Sequence, residues 1–255
     1  MSTIIFPSPI YGPVHSRRLG LSLGINLLPG DGKICNFDCL YCEIGFNKDG
    51  FTRSKHPSRE LVFKELERQL IKMHDAGEVP DVLTFAGNGE PTSHPHFPEI
   101  IDDTVRLRDK WCPTAKISVL SNATFTGRPA VREALMKVDN NILKLDTVNN
   151  DYIRKVDRPV QPSYDVNKII ENLKLFNGHV IVQTMFLKGD DTENMSDKYV
   201  LPWLKAIEEI RPESVMIYTI DRETPDRKLR KAAPEELNRI RDRVVALGIP
   251  CTASY

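Results

Sequence analysis

Cys35, Cys39 and Cys42 fall within eight residues, in the order C-x3-C-x2-C. That spacing curls three thiolates around one point. Three thiolates suit a cubane iron–sulfur cluster whose fourth iron has no protein ligand, and such an iron is open to a substrate or cofactor. The competing readings are a zinc site completed by His15 or His56, and three unrelated buried cysteines. The other two cysteines, Cys112 and Cys251, are isolated, which suits small buried residues. A disulfide framework would spread its cysteines, so a thiolate site in a reducing cytoplasm is expected.

Other residues able to do chemistry stand where strands should end. Gly87-Asn88-Gly89-Glu90-Pro91-Thr92 carries glycines that let backbone approach a ligand, or simply form a turn. Ser121-Asn122-Ala123-Thr124 is a second polar turn. In Ile142-Leu143-Lys144-Leu145-Asp146, period two puts Lys144 and Asp146 on one face. A parallel strand covered on both faces should be apolar, so these charges suggest a polar lumen, or else an ion pair that satisfies itself. Gln183 with Met185, and Tyr218 with Ile220, share strand faces that could line the substrate end or hold satisfied buried polar groups. His15, Arg17 and Arg18 precede the first strand as an anion anchor or a solvated lead-in. His94 and His96 could pair on a metal, but nothing nearby completes a site, and a surface loop is expected. Arg53, Lys55 and His56 are a lid or a solvated charge run.

These positions need strands that end together. Apolar, β-branched runs occur at 19–28, 82–86, 116–120, 141–146, 179–187 and 214–220. Segments of helical period lie between and after them, marked by Phe63 to Met73, Phe97 to Val105, Val131 to Val138, Val166 to Phe176, Trp203 to Ile210 and Leu237 to Leu247. Ser58, Ser163 and Thr192 are expected N-caps, Pro234 an opening turn and Gly248 a C-cap. Pro202 should kink or restart its helix. Strict alternation implies a parallel sheet with right-handed crossovers. Six units make an open (β/α)6 barrel or a doubly wound sheet, and both bind ligands at the carboxyl ends of the strands. The expected layout is one α/β domain over 1–255: a lead-in to residue 18, six strand–helix units over 19–220, and a helix and tail over 221–255.

Composition is that of an ordinary globular chain: 255 residues, 40% apolar and 27% charged. Lys+Arg and Asp+Glu each number 35, which argues against a broadly basic nucleic-acid surface. No apolar run approaches the ~20 residues of a membrane span, and no secretory signal is visible at the start.

The cysteine triplet after a first strand, with Tyr41 before its last member, resembles the radical S-adenosylmethionine (radical SAM) superfamily. The resemblance follows the strand–helix order over most of the chain and implies a partial (β/α)6 barrel. It implies a 4Fe–4S cluster on Cys35, Cys39 and Cys42, with SAM chelated on the open iron and cleaved reductively to a 5′-deoxyadenosyl radical that abstracts hydrogen from a substrate. Gly89, Glu90 and Pro91 match the family's GGEP segment, which binds the SAM amino group, with Asn88 in the place of a glycine. The resemblance makes Tyr41, Gly87, Asn88, Gly89, Glu90, Pro91, Ser121, Asn122, Lys144 and Asp146 candidate SAM contacts. The stretch from Leu145 to Pro159 is similar to the family's strand-to-helix segment, and backbone near Tyr218–Ile220 would meet adenine. The Gly-Pro-x-x-Ser-Arg-Arg-Leu-Gly lead-in resembles a short single-cluster subgroup often grouped with the tRNA-wyosine synthases, but the cysteines of a second cluster are missing.

The family implies a low-potential electron donor, flavodoxin-like or ferredoxin-like, and a small-molecule substrate is favoured over protein or RNA. The rival readings are an activating enzyme for a glycyl-radical protein, a tRNA-base-modifying radical enzyme, and a non-enzymatic zinc or iron–sulfur module.

Overall fold

The computed structural model describes residues 4–16, 20–48, 52 and 54–255. In chain order the elements are β1 (Ile10–Ser16), β2 (Gly20–Ile25), α1 (Arg59–Asp75), β3 (Val82–Phe85), α2 (Phe97–Trp111), β4 (Lys116–Ser121), α3 (Pro129–Leu135), β5 (Asn140–Lys144), α4 (Asn150–Val156), α5 (Val166–Lys174), β6 (Ile181–Met185), β7 (Leu187–Lys188), α6 (Asp197–Ile210), β8 (Ser214–Tyr218), β9 (Arg230–Lys231), α7 (Pro234–Val245) and β10 (Cys251–Ser254). A 3-10 turn, Pro91–Ser93, follows β3.

The main sheet has eight strands in the order β1-β2-β3-β4-β5-β6-β8-β10. β1 runs antiparallel to β2, and every other pair is parallel. All six expected strands are present and adjacent, which is the partial-barrel arrangement. Two further strands of this sheet lie in the stretches expected to be lead-in and tail. β1 carries a proline and a register shift between Tyr11 and Val14, which break its alternation. β10 has only four residues, yet it extends the parallel run beside β8, with Cys251 opposite Val215.

Alternation along the strands splits the sheet into two faces. Leu23, Ile25, Leu83, Phe85, Ile117, Val119, Leu143, Val182, Val215 and Ile217 are buried in the main core with the helices. Ser22, Thr84, Leu120, Ile142, Gln183, Met216 and Tyr218 take the opposite face and line a cavity. The parallel sheet is therefore apolar on its helix face and mixed on its inner face, which is how a partial barrel accommodates a polar ligand.

Helix signals were partly displaced. Ser58 caps α1, accepting from the Leu61 N–H at 3.2 Å. The caps of α5 and α6 are Asp165 and Ser196, not Ser163 and Thr192. Asp165 wins because its carboxylate reaches the Asn167 N–H at 3.1 Å. α6 continues through Pro202, with no restart. α4, seven residues long, had no visible period. Among the described residues no helix is long and apolar enough to cross a membrane.

Candidate functional site

The cysteines lie on the long connection between β2 and α1, at the carboxyl end of the sheet. Two neighbouring loops hold this connection. On one side Ile34 bridges to Gly89: the Ile34 N–H donates to the Asn88 carbonyl at 2.9 Å, and the Glu90 N–H donates to the Ile34 carbonyl at 3.2 Å. Gly89 has φ +143°, and a β-carbon there would overlap the Ile34 carbonyl. Only glycine permits that approach.

On the other side the loop is stitched to the end of α4. The Asp38 N–H donates to the Asp157 carbonyl at 3.0 Å, Leu40 to Val156 at 2.8 Å, and Val160 to the Asn36 carbonyl at 2.9 Å. Arg158 donates to the Asp38 carbonyl at 2.8 Å and pairs with its carboxylate. Within the loop, Asn47 donates to the Cys35 and Phe37 carbonyls, both at 3.2 Å. The sequence offered no local signal for Asn47, Asp157 or Arg158, because their partners are distant or backbone.

The three thiols are free and half-buried. Burial pushes Cys35 up to about 12, and Cys39 well above its ordinary value. A neighbouring thiolate raises each further, so Cys35 and Cys39 both feel Cys42. Such sulfurs become thiolates only with a cation among them, and a metal supplies that charge. Among the described residues no three histidine, cysteine or carboxylate groups are gathered tightly enough for a single ion. Three thiols are the donor set of a cubane cluster with one open iron. His56, a proposed fourth zinc ligand, instead faces the Leu27 carbonyl at 3.2 Å and the edge of His94. His15 lines the cavity on β1.

Lys144 and Asp146 do face inward, and they join Tyr41 and Asp157 in a buried cluster. Lys144 Nζ lies 2.9 Å from Asp157 and contacts both Asp146 and the Tyr41 hydroxyl. Tyr41 also donates to Asp146, and to Asp157 at 3.2 Å. The Lys144 ammonium sits 4.7 Å from the Tyr41 ring centre. Burial pushes Asp157 up to about 7, against the pull of Lys144. The two carboxylates hold Lys144 firmly as the ammonium. Lys144 and Asp146 thus both face inward and satisfy each other as an ion pair.

Glu90 is 2% exposed and joins the loops after β3 and β4. Its carboxylate accepts from Thr92 N–H at 3.0 Å, the Thr92 hydroxyl, Ser121 Oγ at 2.8 Å and Asn122 N–H at 2.7 Å. Burial still pushes it upward, because four donors only partly replace water. Pro91 opens the 3-10 turn that follows. Asn122 turns towards the cysteines: its amide donates to Asn36 Oδ1 at 2.7 Å and lies 3.9 Å from the Cys35 sulfur. Ala123, where the family usually has glycine, adopts φ +66°. Gly87 has φ +142°, and a side chain there would meet Asn26. The Asn88 side chain points away from the cysteines, to Phe6 and Pro29.

A cavity of about 430 Å³ fills the inner face beside Tyr41. Gln183 and Tyr218 both line it, with Tyr11, Met185 and Met216. Its charged lining includes Glu43 and Arg222, which pair with each other at 2.9 Å.

Other candidates lie elsewhere. His94 is buried, not on a surface loop: its ring meets the Pro57 carbonyl at 2.9 Å and accepts from the His96 N–H at 3.1 Å. His96 is exposed at the start of α2. Cys112 and Cys251 stand just before β4 and at the start of β10, the opposite end of the sheet from the triplet. Arg17, Arg18 and Arg53 lie outside the described residues.

A family model of the radical SAM superfamily matches residues 31–200. The chain belongs to the radical SAM superfamily. Members use a 4Fe–4S cluster and SAM, and they need a reductant. A UPF0026 protein of Helicobacter pylori is 32% identical over 221 residues, covering 85% of this chain and 67% of that protein. A radical SAM methyltransferase from Sphaerobacter thermophilus superposes with TM-score 0.68 at 18% identity, covering 92% of this chain and 66% of the other. Streptococcus suis SuiB bound to S-adenosylmethionine gives TM-score 0.64 at 17% identity, over 91% and 50%. At those identities the two likenesses are of fold. This radical SAM chain spans about two thirds of the Helicobacter relative and half of SuiB.

Proposed function

We propose that the chain is an enzyme that cleaves SAM reductively at a single 4Fe–4S cluster and removes hydrogen from a small molecule. The observation that carries this reading is the cysteine loop: three free thiols, fixed from both sides, at the carboxyl end of a parallel sheet and beside a cavity. Cys35, Cys39 and Cys42 would hold the cluster, which with SAM supplies one-electron cleavage of a sulfonium bond. Backbone of Gly87, Gly89 and Pro91 would hold the amino end of SAM, on a loop that the Glu90 carboxylate ties to Ser121 and Asn122. Ser121 and Asn122 are placed for its ribose or carboxylate. Tyr41 lines the cavity, and Lys144 and Asp146 contact its hydroxyl. Asn88 acts through the loop it anchors, not through its own side chain.

The cavity favours a small molecule over a protein backbone or an RNA loop, since its walls are mixed and its rim arginine is already paired. A flavodoxin-like or ferredoxin-like donor and a cytoplasmic setting suit oxygen-sensitive thiolate chemistry. The test is anaerobic reconstitution of the full chain. Iron and sulfide should bind, and SAM with a strong reductant should yield 5′-deoxyadenosine. Cys39→Ala should abolish both. A chain that holds only zinc and makes no deoxyadenosine would instead be a metal-binding module.

A further inference from the structure

The inner-face cavity lies at the level of the strands. None of Gly87, Gly89, Pro91, Ser121 and Asn122 lines it. Its wall therefore meets a guest other than the methionyl end of SAM.

Most polar groups of that wall are already committed. Ser22 and Thr84 share a hydrogen bond at 2.8 Å. Tyr41 donates to Asp146. The Thr219 hydroxyl accepts from the Ala232 N–H at 2.8 Å, and the Thr224 hydroxyl donates to the Asp226 carbonyl at 2.7 Å. Tyr218 lies in the field of Lys144. The ionisable lining stands on the solvent side. Glu43 and Arg222 pair with side chains 40% and 55% exposed, and His15 and Asp221 are exposed.

Gln183 and Tyr11 stand apart. Among the described residues neither the Gln183 amide nor the Tyr11 hydroxyl has a hydrogen-bond partner. Gln183 sits in mid-strand on β6, between Lys144 of β5 and Met216 of β8. Tyr11 stands opposite Gly24, where a β-carbon would overlap its ring. The glycine thus lets the ring lie close on β2. Phe6 packs beside it with ring centres 4.7 Å apart. Burial pushes Tyr11 up to about 12, so it stays a neutral phenol. The cavity combines this fixed aromatic surface with the thioethers of Met185 and Met216 and one carboxamide.

Resting on the functional reading above, we infer that the cavity takes an uncharged, flat substrate whose edge carries a donor and an acceptor side by side, as an amide or lactam does, and that Gln183 and Tyr11 recognise it. A carboxamide offers the same two groups, and a phenol gives or takes one bond. A carboxylate or phosphate would enter without a cation to meet it, since Arg222 is paired and Lys144 is held by two carboxylates. A site of this kind rejects an analogue that leaves its polar groups unpaired.

The test is the binding of benzamide, benzoate and toluene to the full chain, followed by saturation-transfer nuclear magnetic resonance. The three probes share one ring and differ in carrying an amide, a charge or neither. Benzamide should bind most tightly. Tyr11→Phe and Gln183→Leu should each weaken benzamide by roughly fivefold or more and leave toluene as in wild type. Gln183→Met, close to glutamine in shape, replaces the Leu variant if dichroism shows that one unfolded. Benzoate bound as tightly as benzamide, no binding of benzamide, or benzamide affinity unchanged in either variant overturns the inference. Deoxyadenosine from the reconstituted wild type reports on the functional reading separately. If it forms while the probes fail, that reading stands with a substrate of another class. If none forms, the reading falls and the substrate assignment with it.

Discussion

The Asn88 side chain pairs with the Phe6 backbone as a second peptide group would: Oδ1 accepts the Phe6 N–H at 2.9 Å, and Nδ2 donates to the Phe6 carbonyl at 2.8 Å. A third bond runs from Nδ2 to the Pro29 carbonyl at 2.8 Å. The amide thereby ties the start of the chain to the loop after β3. Asn88→Gly would restore the family's commoner residue and delete all three bonds. It should lower the stability of the metal-free chain by about 2–4 kcal/mol, read by urea unfolding. Asn88→Asp keeps one acceptor but sets a carboxylate against two carbonyls, and should cost no less. Stability unchanged in the Gly variant would mean that the amide is dispensable.

Gly89→Ala acts on the cysteines without touching them. A methyl group at this position runs into the Ile34 carbonyl, which is backbone and cannot swing aside. The Ile34–Gly89 bridge must open, and the loop carrying Cys35 moves with it. Iron bound per chain after identical reconstitution should fall well below wild type, while far-ultraviolet dichroism keeps its sheet signal. Full iron loading would show that the bridge does not position the loop.

His94 gives a pH signature. Burial pulls its imidazole below the ordinary histidine range, and His56 adds like charge. Above the unfolded value of about 6.5, the neutral ring contributes its full stability. As pH falls, the unfolded chain takes up the proton first, and that contribution is lost down through the folded value. The stability difference between wild type and His94→Gln should therefore shrink between about pH 7.5 and about pH 5.5. A difference constant across that range refutes the assignment.

Cys112 is buried and Cys251, expected to be buried, is only half-buried; both should behave as thiols that hold no metal. Burial pushes them up to about 11 and about 12. Both should resist iodoacetamide in the native chain at about pH 8 and react once it is unfolded. The double Ala variant should keep its full iron. Iron lost from it would make one of them a ligand.

What was legible in advance follows from range. The six central strands announced themselves because each is a local run of β-branched residues, and the triplet did so because its spacing is local. β1 and β10 were missed because a proline, a register shift and four-residue length erase alternation. Asp165 beats Ser163 as a cap by geometry that composition cannot rank. Asp157 follows α4 with no local pattern to mark it, because its carbonyl partner, the Asp38 N–H, lies more than a hundred residues earlier. Lys144 and Asp146 were found because charge is out of place on a parallel strand. His94 was misplaced because a polar ring beside proline looks exposed until its carbonyl partner, Pro57, is known.

The cavity wall has a divided origin. Thr84, Leu120, Ile142 and Gln183 come from the stretch that the superfamily shares, whereas Tyr11, Val14 and His15 at one edge and Met216 to Arg222 at the other lie outside it. The two edges can diverge without disturbing the stitches at Gly89 and Asp157. A descendant could therefore exchange the guest it admits while inheriting its chemistry unaltered.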